Sequence, residues 1–406
     1  MKKESIALVS LGCAKNAVDL QVMAGNLIKK GCVFSPNPDC ADIVIVNTCS
    51  FLASAREEAE SEILRALELK KLGRYGKVFV TGCYPERYPE AISRFPGVDL
   101  WQGVPKCWCE PKLPGLRLTG KAFSYLKIAE GCDHRCSYCA IPLIRGAYRS
   151  RPFRSIMREA RALLSSGCRE INIVAQDPML WRDGKRDIVD LLGELDKLEG
   201  DFWLRVLYSY PSEITERYLD WLSSSKHAVR YVDVPVQHTV KEVLEKMNRG
   251  AAAKASINAA QMIRSRIEGV TLRTTILTGF PGETTARFNQ LLDDIKKMRF
   301  DHLGAFAYSP EEGTVGRTLS GRPTAAEAQR RMKKVMSTQA RIWAKKAEKM
   351  IGSEYKALVV SPGVARLESQ APDVDGVVYV DSQEVGEFIN LRLVRRVGFD
   401  FEGEQI

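Results

Sequence analysis

The chain of 406 residues is 45% hydrophobic and 27% charged, a globular composition that accommodates two to four domains at roughly 100–200 residues each. No apolar run approaches the ~20 residues that span a bilayer, so no membrane partner is expected. The net charge of +10 permits a nucleic-acid partner without requiring one, and the eleven cysteines exceed what packing alone asks for.

At the N-terminus, the apolar stretch before Gly12 and Cys13 faintly resembles a lipoprotein signal, but it is short and Glu4 interrupts the approach to it. A cytoplasmic location is therefore expected, where cysteines stay reduced and clustered ones bind metal or do chemistry. Residues 5–10, 43–47 and 77–81 are short apolar runs that predict strands. The stretches 16–30 and 52–72 between them predict helices, and the alternation implies a parallel sheet. Each predicted strand runs into a cysteine: Cys13, Cys49 and Cys83. Ligands collect beyond the carboxyl ends of parallel strands, so three thiols distant in sequence are expected on one rim. Gly12 and Gly82 supply the tight turns there.

A Pro-containing stretch then predicts a linker over 106–121. Beyond it, strands are expected at 124–129, 170–175, 203–208, 231–236, 272–278 and 302–308. Helices are expected at 155–166, 187–198, 212–222, 240–247 with 253–267, 285–297 and 325–349. Six β/α units predict a partial (β/α)6 barrel, with its site at the carboxyl ends of the strands. From 353 onward the pattern changes to strand-like pieces at 356–360, 376–380 and 388–394, divided by Gly, Pro and Asp, which predicts a small antiparallel, OB-like β-barrel. The expected fold class is α/β, with domains over 1–105, 122–350 and 351–406.

Cys132, Cys136 and Cys139 are spaced C-x3-C-x2-C in one loop after the first predicted barrel strand. Zinc sites usually take four ligands in C-x2-C pairs. Three thiols instead suit a 4Fe-4S cube with one open iron, to which S-adenosylmethionine (SAM) binds before it is cleaved to a radical. A zinc site completed by His134 is the other reading of this spacing. For Cys13, Cys49 and Cys83 a second 4Fe-4S cluster is the natural reading, with zinc as the rival. Cys32, Cys40, Cys107, Cys109 and Cys168 share no such pattern and are expected to be structural or incidental.

The segment 124–142 (SYLKIAEGCDHRCSYCAIP), with Arg145-Gly146 and Arg149-Ser-Arg151, resembles the methylthiotransferase family of radical SAM enzymes. So do SLGCAKN at 10–16, NTC at 47–49, TGC at 81–83, VPVQH at 234–238 and TGFPGET at 278–284. The resemblance runs through nearly the whole chain in the family's order. It implies an N-terminal cluster domain, a radical SAM barrel and a terminal TRAM domain. It further implies that Cys132, Cys136 and Cys139 hold the SAM cluster, and that Cys13, Cys49 and Cys83 hold an auxiliary cluster that carries or delivers sulfur. One SAM would give the methyl group and a second the radical, with a flavodoxin or ferredoxin type electron donor. Tyr138 is a candidate to lie against the adenine, ordinary packing being the alternative. Gly279 and Phe280 are candidates to approach SAM, a plain strand-to-helix turn being the alternative. Gln176 and Arg205, near strand ends, are candidates for SAM or substrate contacts. Ala14 departs from the family's usual Pro, and Leu20-Gln21 from its usual Ser-Glu.

One branch of the family modifies the β-carbon of an aspartate in ribosomal small-subunit protein twelve. Another modifies the tRNA adenosine beside the anticodon. SLGCAKN, YSPEEGT at 308–314 and APDVDGVVYV at 371–380 resemble the first branch. Residues 353–406 hold ten acidic and five basic side chains, a net −5 against +15 on the rest. A tail gripping tRNA phosphates should be basic, whereas an acidic one suits a basic ribosomal protein. The tRNA reading is the runner-up. A non-catalytic iron–sulfur or zinc module is a third, which a six-unit barrel argues against.

Overall fold

The computed structural model describes residues 3–105, 113 and 116–406, so Cys107, Cys109 and much of the expected linker lie outside the described residues. The N-terminal sheet has Ser5–Ser10, Ala41–Thr48 and Tyr75–Gly82 at its centre, all parallel. Val33–Phe34 and Leu100–Gln102 extend its two edges, and these strands of two and three residues are too short to leave a periodic signal. Successive side chains of a strand point to opposite faces, and here both faces are covered. Ile43 and Ile45 pack with Leu20 and Ala24 of the helix Ala14–Lys29. Val44 and Val46 pack with Ala59, Ile63 and Ala66 of the helix Ala53–Lys71. Burial on both faces is why the central strand is continuously apolar instead of alternating.

Six parallel strands follow in consecutive order. Phe123–Lys127, Glu170–Val174 and Trp203–Val206 form one arc, and Tyr231–Asp233, Thr271–Thr278 and His302–Ala307 form the other. Among the described residues the first and last strands do not pair, so the barrel is partial, as expected. Helices at Phe153–Ser165, Ile188–Asp196, Glu216–Ser224, Ala253–Arg266, Thr285–Met298 and Ala325–Ala347 alternate with the strands. Ile156, Leu163, Leu191, Leu195, Leu219, Ile263 and Leu291 on these helices join strand residues such as Ile171, Leu204 and Leu272 in one apolar core.

The last five strands, Glu354–Ser361, Val364–Leu367, Val378–Tyr379, Phe388–Val397 and Asp400–Gln405, close into a small barrel. Its pairing is antiparallel except at one seam, where Val378–Tyr379 runs parallel to Asp400–Gln405. This barrel seals the partial barrel from the side where the strands begin. Glu170, Tyr231 and His302 each open a strand, and each meets it: Glu170 binds Arg366, the Tyr231 hydroxyl donates to Asp375 at 2.6 Å, and a His302 ring nitrogen bonds the Ser369 carbonyl at 2.7 Å. Val18 of the first helix, Phe123, Tyr125 and Trp203 of the barrel, and Leu358 and Ala371 of the terminal unit share one apolar junction.

Candidate metal and cofactor site

The carboxyl ends of the N-terminal strands and of the barrel strands face one cavity of about 1040 Å³. All six cysteines singled out in the sequence line it. Cys13, Cys49 and Cys83 come from three strand ends, and Cys132, Cys136 and Cys139 from the loop after the first barrel strand.

Asn16 ties the first three together. Its Nδ2 donates to the Leu11 and Thr48 carbonyls, at 3.2 and 3.0 Å, and its Oδ1 accepts from the Cys83 thiol at 3.4 Å and from Arg145 at 2.5 Å. Gly82, at φ +100°, completes the rim, since a Cβ there would stand 2.4 Å from Asn47 Oδ1 and 2.6 Å from the Thr48 carbonyl. Cys13 is the N-cap of the helix Ala14–Lys29 and is open to the cavity. Burial acts to raise its pKa, but Lys15, Arg145 and the backbone N–H groups of Asn16 and Lys15 together hold the thiol below its ordinary value. Burial pushes Cys83 up to about 12, Cys139 to about 12 and Cys132 to about 11, and raises Cys49.

Arg145 joins the two halves of the site. One guanidinium nitrogen donates to Asp19 at 2.9 Å and to both oxygens of Glu130 at 3.0 Å; the other reaches Asn16 and, at 3.6 Å, Cys83 Sγ. Lys127 binds Asp19 and Glu130 in turn. Burial alone would raise the pKa of Glu130, yet Lys127 and Arg145 outweigh it and pull the carboxyl down to about 2. Glu130 directly precedes Gly131 and Cys132, so one buried ionic cluster braces both cysteine triplets.

The remaining candidates divide. Tyr138 lines the cavity; its hydroxyl accepts from Arg249 at 3.1 Å and its ring meets Phe280 edge-on. Gln176 also lines it and donates to Glu130 at 3.0 Å, while its Oε1 is buried without a partner. Phe280 is fully buried beside Tyr138, among Val240, Leu244 and Tyr308, and does not line the cavity. The tight approach at Gly279 is to a helix: a Cβ there would stand 2.2 Å from Ala328 Cβ. The glycine thus has a packing reason in the fold, the close passage of that helix. Arg205 does not line the cavity either. It is fully buried, pairs with Glu170 at 2.8 Å, donates to the Glu368 carbonyl at 2.8 Å and lies over Tyr231. Its guanidinium points to where the strands begin, away from the cavity. His134 lines the cavity, where its Nε2 bonds Asp177 at 2.6 Å and its ring stacks on Tyr210 with centroids 3.7 Å apart. Among the described residues no His, Cys, Asp and Glu side chains are grouped to hold a single metal ion.

Lys15, Arg145, Tyr208 and Arg249 line the cavity and were not among the sequence candidates. Tyr208 adopts φ +71°, a conformation that composition and periodicity do not disclose.

Three family models match the chain in sequence. They are the uncharacterized protein family UPF0004 over residues 5–103, the radical SAM superfamily over 126–295, and the TRAM domain over 351–406. Among curated relatives, a ribosomal protein uS12 methylthiotransferase RimO of Solibacter usitatus is 37% identical over 98% of this chain and 94% of its own length. The protein of that name from Dictyoglomus thermophilum is 36% identical over all of both chains. Among solved structures, the radical SAM methyltransferase TsrM of Kitasatospora setae, with cobalamin and a [4Fe-4S] cluster bound, superposes with a TM-score of 0.54 at 17% identity, over 75% of each chain. That likeness is one of fold. At this identity over essentially its whole length, the chain belongs to the RimO-type methylthiotransferases of the radical SAM superfamily, and it is a transferase.

Proposed function

We propose that this protein adds a methylthio group to the β-carbon of an aspartate in ribosomal protein uS12, using two 4Fe-4S clusters and two SAM molecules. The observation that carries the reading is that two cysteine triplets, delivered by two separate sheets, line one cavity large enough for both clusters and a substrate side chain. Thiols are the donors that iron–sulfur clusters take. Cys132, Cys136 and Cys139 would hold one cluster, and Cys13, Cys49 and Cys83 the other. When bound, these groups and SAM supply hydrogen abstraction from an unactivated carbon and the methylthio group that replaces the hydrogen.

The chain's own residues position and shield that chemistry. Asn16 and Arg145 fix Cys83 and the strand end that carries it. Arg249 holds Tyr138 by its hydroxyl and is itself anchored on the Pro235 carbonyl at 2.9 Å, which sets the ring against the cavity wall for an adenine. Gln176 offers an unpartnered carbonyl oxygen at the same wall as an acceptor for SAM or substrate. Pro372, Asp373 and Val374 of the terminal unit reach the cavity, so substrate is gripped where all three parts of the chain meet. We divide the chain functionally at 1–105, 122–350 and 351–406, and place the reaction in the reducing cytoplasm with a flavodoxin or ferredoxin type donor.

The test is anaerobic reconstitution with iron and sulfide, then dithionite and SAM, with and without a uS12 peptide that spans the aspartate. The expected result is 5′-deoxyadenosine together with a peptide gain of about 46 Da, the mass of SCH2. SAM cleavage with methylthiolated tRNA adenosine and an untouched peptide would move the substrate to tRNA. No SAM cleavage by fully loaded protein would end the radical SAM reading.

A further inference from the structure

Three groups that line the cavity carry full positive charge, and two of them are already engaged. Arg145 binds Asp19 and Glu130, and Arg249 binds Tyr138 and the Pro235 carbonyl. The third, Lys15, is only 9% exposed, and its ammonium forms no hydrogen bond or ion pair with any described side chain or carbonyl. The single carboxylate among the described lining residues, Asp373, already accepts from the Tyr125 hydroxyl at 2.6 Å. Lys15 also stands in the first turn of a helix that has no acidic residue there, where the helix dipole opposes a cation. An ammonium at the cavity wall with no carboxylate paired to it favours an anion beside it. Lys15 lies over the Tyr208 ring, 3.8 Å from Nζ to the centroid. Tyr208 follows the barrel strand Trp203–Val206, so the lysine reaches from the N-terminal domain across to the barrel wall. Its side chain lines the cavity where the two parts meet.

We infer that Lys15 receives the side-chain carboxylate of the substrate residue and thereby selects aspartate over its amide. The inference deepens the proposed function and rests on it. A carboxylate there pairs the one cation of the cavity that no described acidic side chain pairs, on the wall shared with both triplets. The carboxylate of SAM is the other source of that chemistry. Lys15 argues against it by position: it belongs to the helix capped by Cys13, not to the loop of Cys132, Cys136 and Cys139 where SAM would bind.

The experiment measures binding of a labelled uS12 peptide by anisotropy, against the same peptide with Asn at the target position. It uses the reconstituted full chain as wild type, Lys15→Met, Lys15→Gln and Lys15→Arg, with melting temperature confirming that each is folded. Wild type is expected to prefer the Asp peptide by about ten- to a hundredfold, the range of a charge-assisted hydrogen bond. Lys15→Met and Lys15→Gln should bring the preference near unity, and Lys15→Arg should restore part of it. Peptide-independent SAM cleavage, carried by the Cys132, Cys136 and Cys139 loop, should be unchanged in all. Retained Asp preference in both neutral variants overturns the inference. Loss of SAM cleavage in them also overturns it, by assigning the lysine to SAM. Wild type that ignores the Asp peptide overturns the proposed function and this inference with it.

Discussion

Arg145 does more structural work than any residue the motifs alone point to. It is buried, and through Glu130, Asp19, Asn16 and Cys83 it touches both halves of the site. Removing one partner of a buried ionic cluster leaves the others uncompensated, which costs more than the cluster gains in forming. Arg145→Gln is therefore expected to destabilise the fold by roughly 3 kcal/mol, read by chemical denaturation of the apo protein. Arg145→Lys should recover part of that, because the charge returns without the second nitrogen that reaches Asn16 and Cys83. Equal stability of the glutamine variant and wild type would show that the cluster is incidental.

At the scale of elements, two of the motif loops dock neighbouring elements. Gly279 ends the strand Thr271–Thr278 and lets the helix Ala325–Ala347 approach its backbone, while Glu283 accepts from Gly279 N–H at 2.9 Å and from Arg331 at 2.7 Å. Gly279→Ala must push that helix away and hold φ +77° with a side chain. The expected cost is about 1–3 kcal/mol, seen as a lower melting temperature, with SAM affinity unchanged if the glycine serves packing alone. Similarly, Glu311 of the 308–314 segment accepts from Ala53 N–H at 2.9 Å, at the start of the helix Ala53–Lys71, and binds Arg56 and Arg87. That segment fastens the barrel to the N-terminal domain.

At the scale of the molecule, Glu170 joins two domains. It is fully buried and pairs with Arg205 of the barrel and Arg366 of the terminal unit. Burial acts to raise its pKa, but the two guanidinium groups outweigh it and hold the carboxyl below the usual carboxylate range. A lowered folded-state pKa means stability that is present above the ordinary carboxylate pKa and lost as pH falls through the folded value. Glu170→Gln is expected to melt well below wild type at pH 7, with the gap narrowing as acid protonates the wild-type carboxyl. A gap that stays constant to low pH would assign the effect to packing. The acidic character of the terminal unit also looks different in three dimensions. Asp375 faces Tyr231 and Arg273 inside the partial barrel, and Asp373 faces Tyr125, so part of the net −5 holds domains together and is not offered to a partner.

The sequence by itself determined the order and type of the main elements, because buried parallel strands are continuous apolar runs and their helices keep a 3.6-residue period. It also singled out the six cysteines that meet at one cavity, since a thiol soon after a strand is a pattern that local spacing records. It missed the edge strands Val33–Phe34 and Leu100–Gln102, which are too short for any period. Only the tertiary structure decided what faces what. Arg205 and Gln176 both sit near the ends of adjacent strands, yet one meets the terminal barrel and the other the cavity, a choice set by the domain that seals the strand beginnings. Lys15 and Tyr208 are far apart in sequence and meet only because two domains close over one cavity. Periodicity is a local property of the chain, whereas an unpaired charge is a property of everything packed around it.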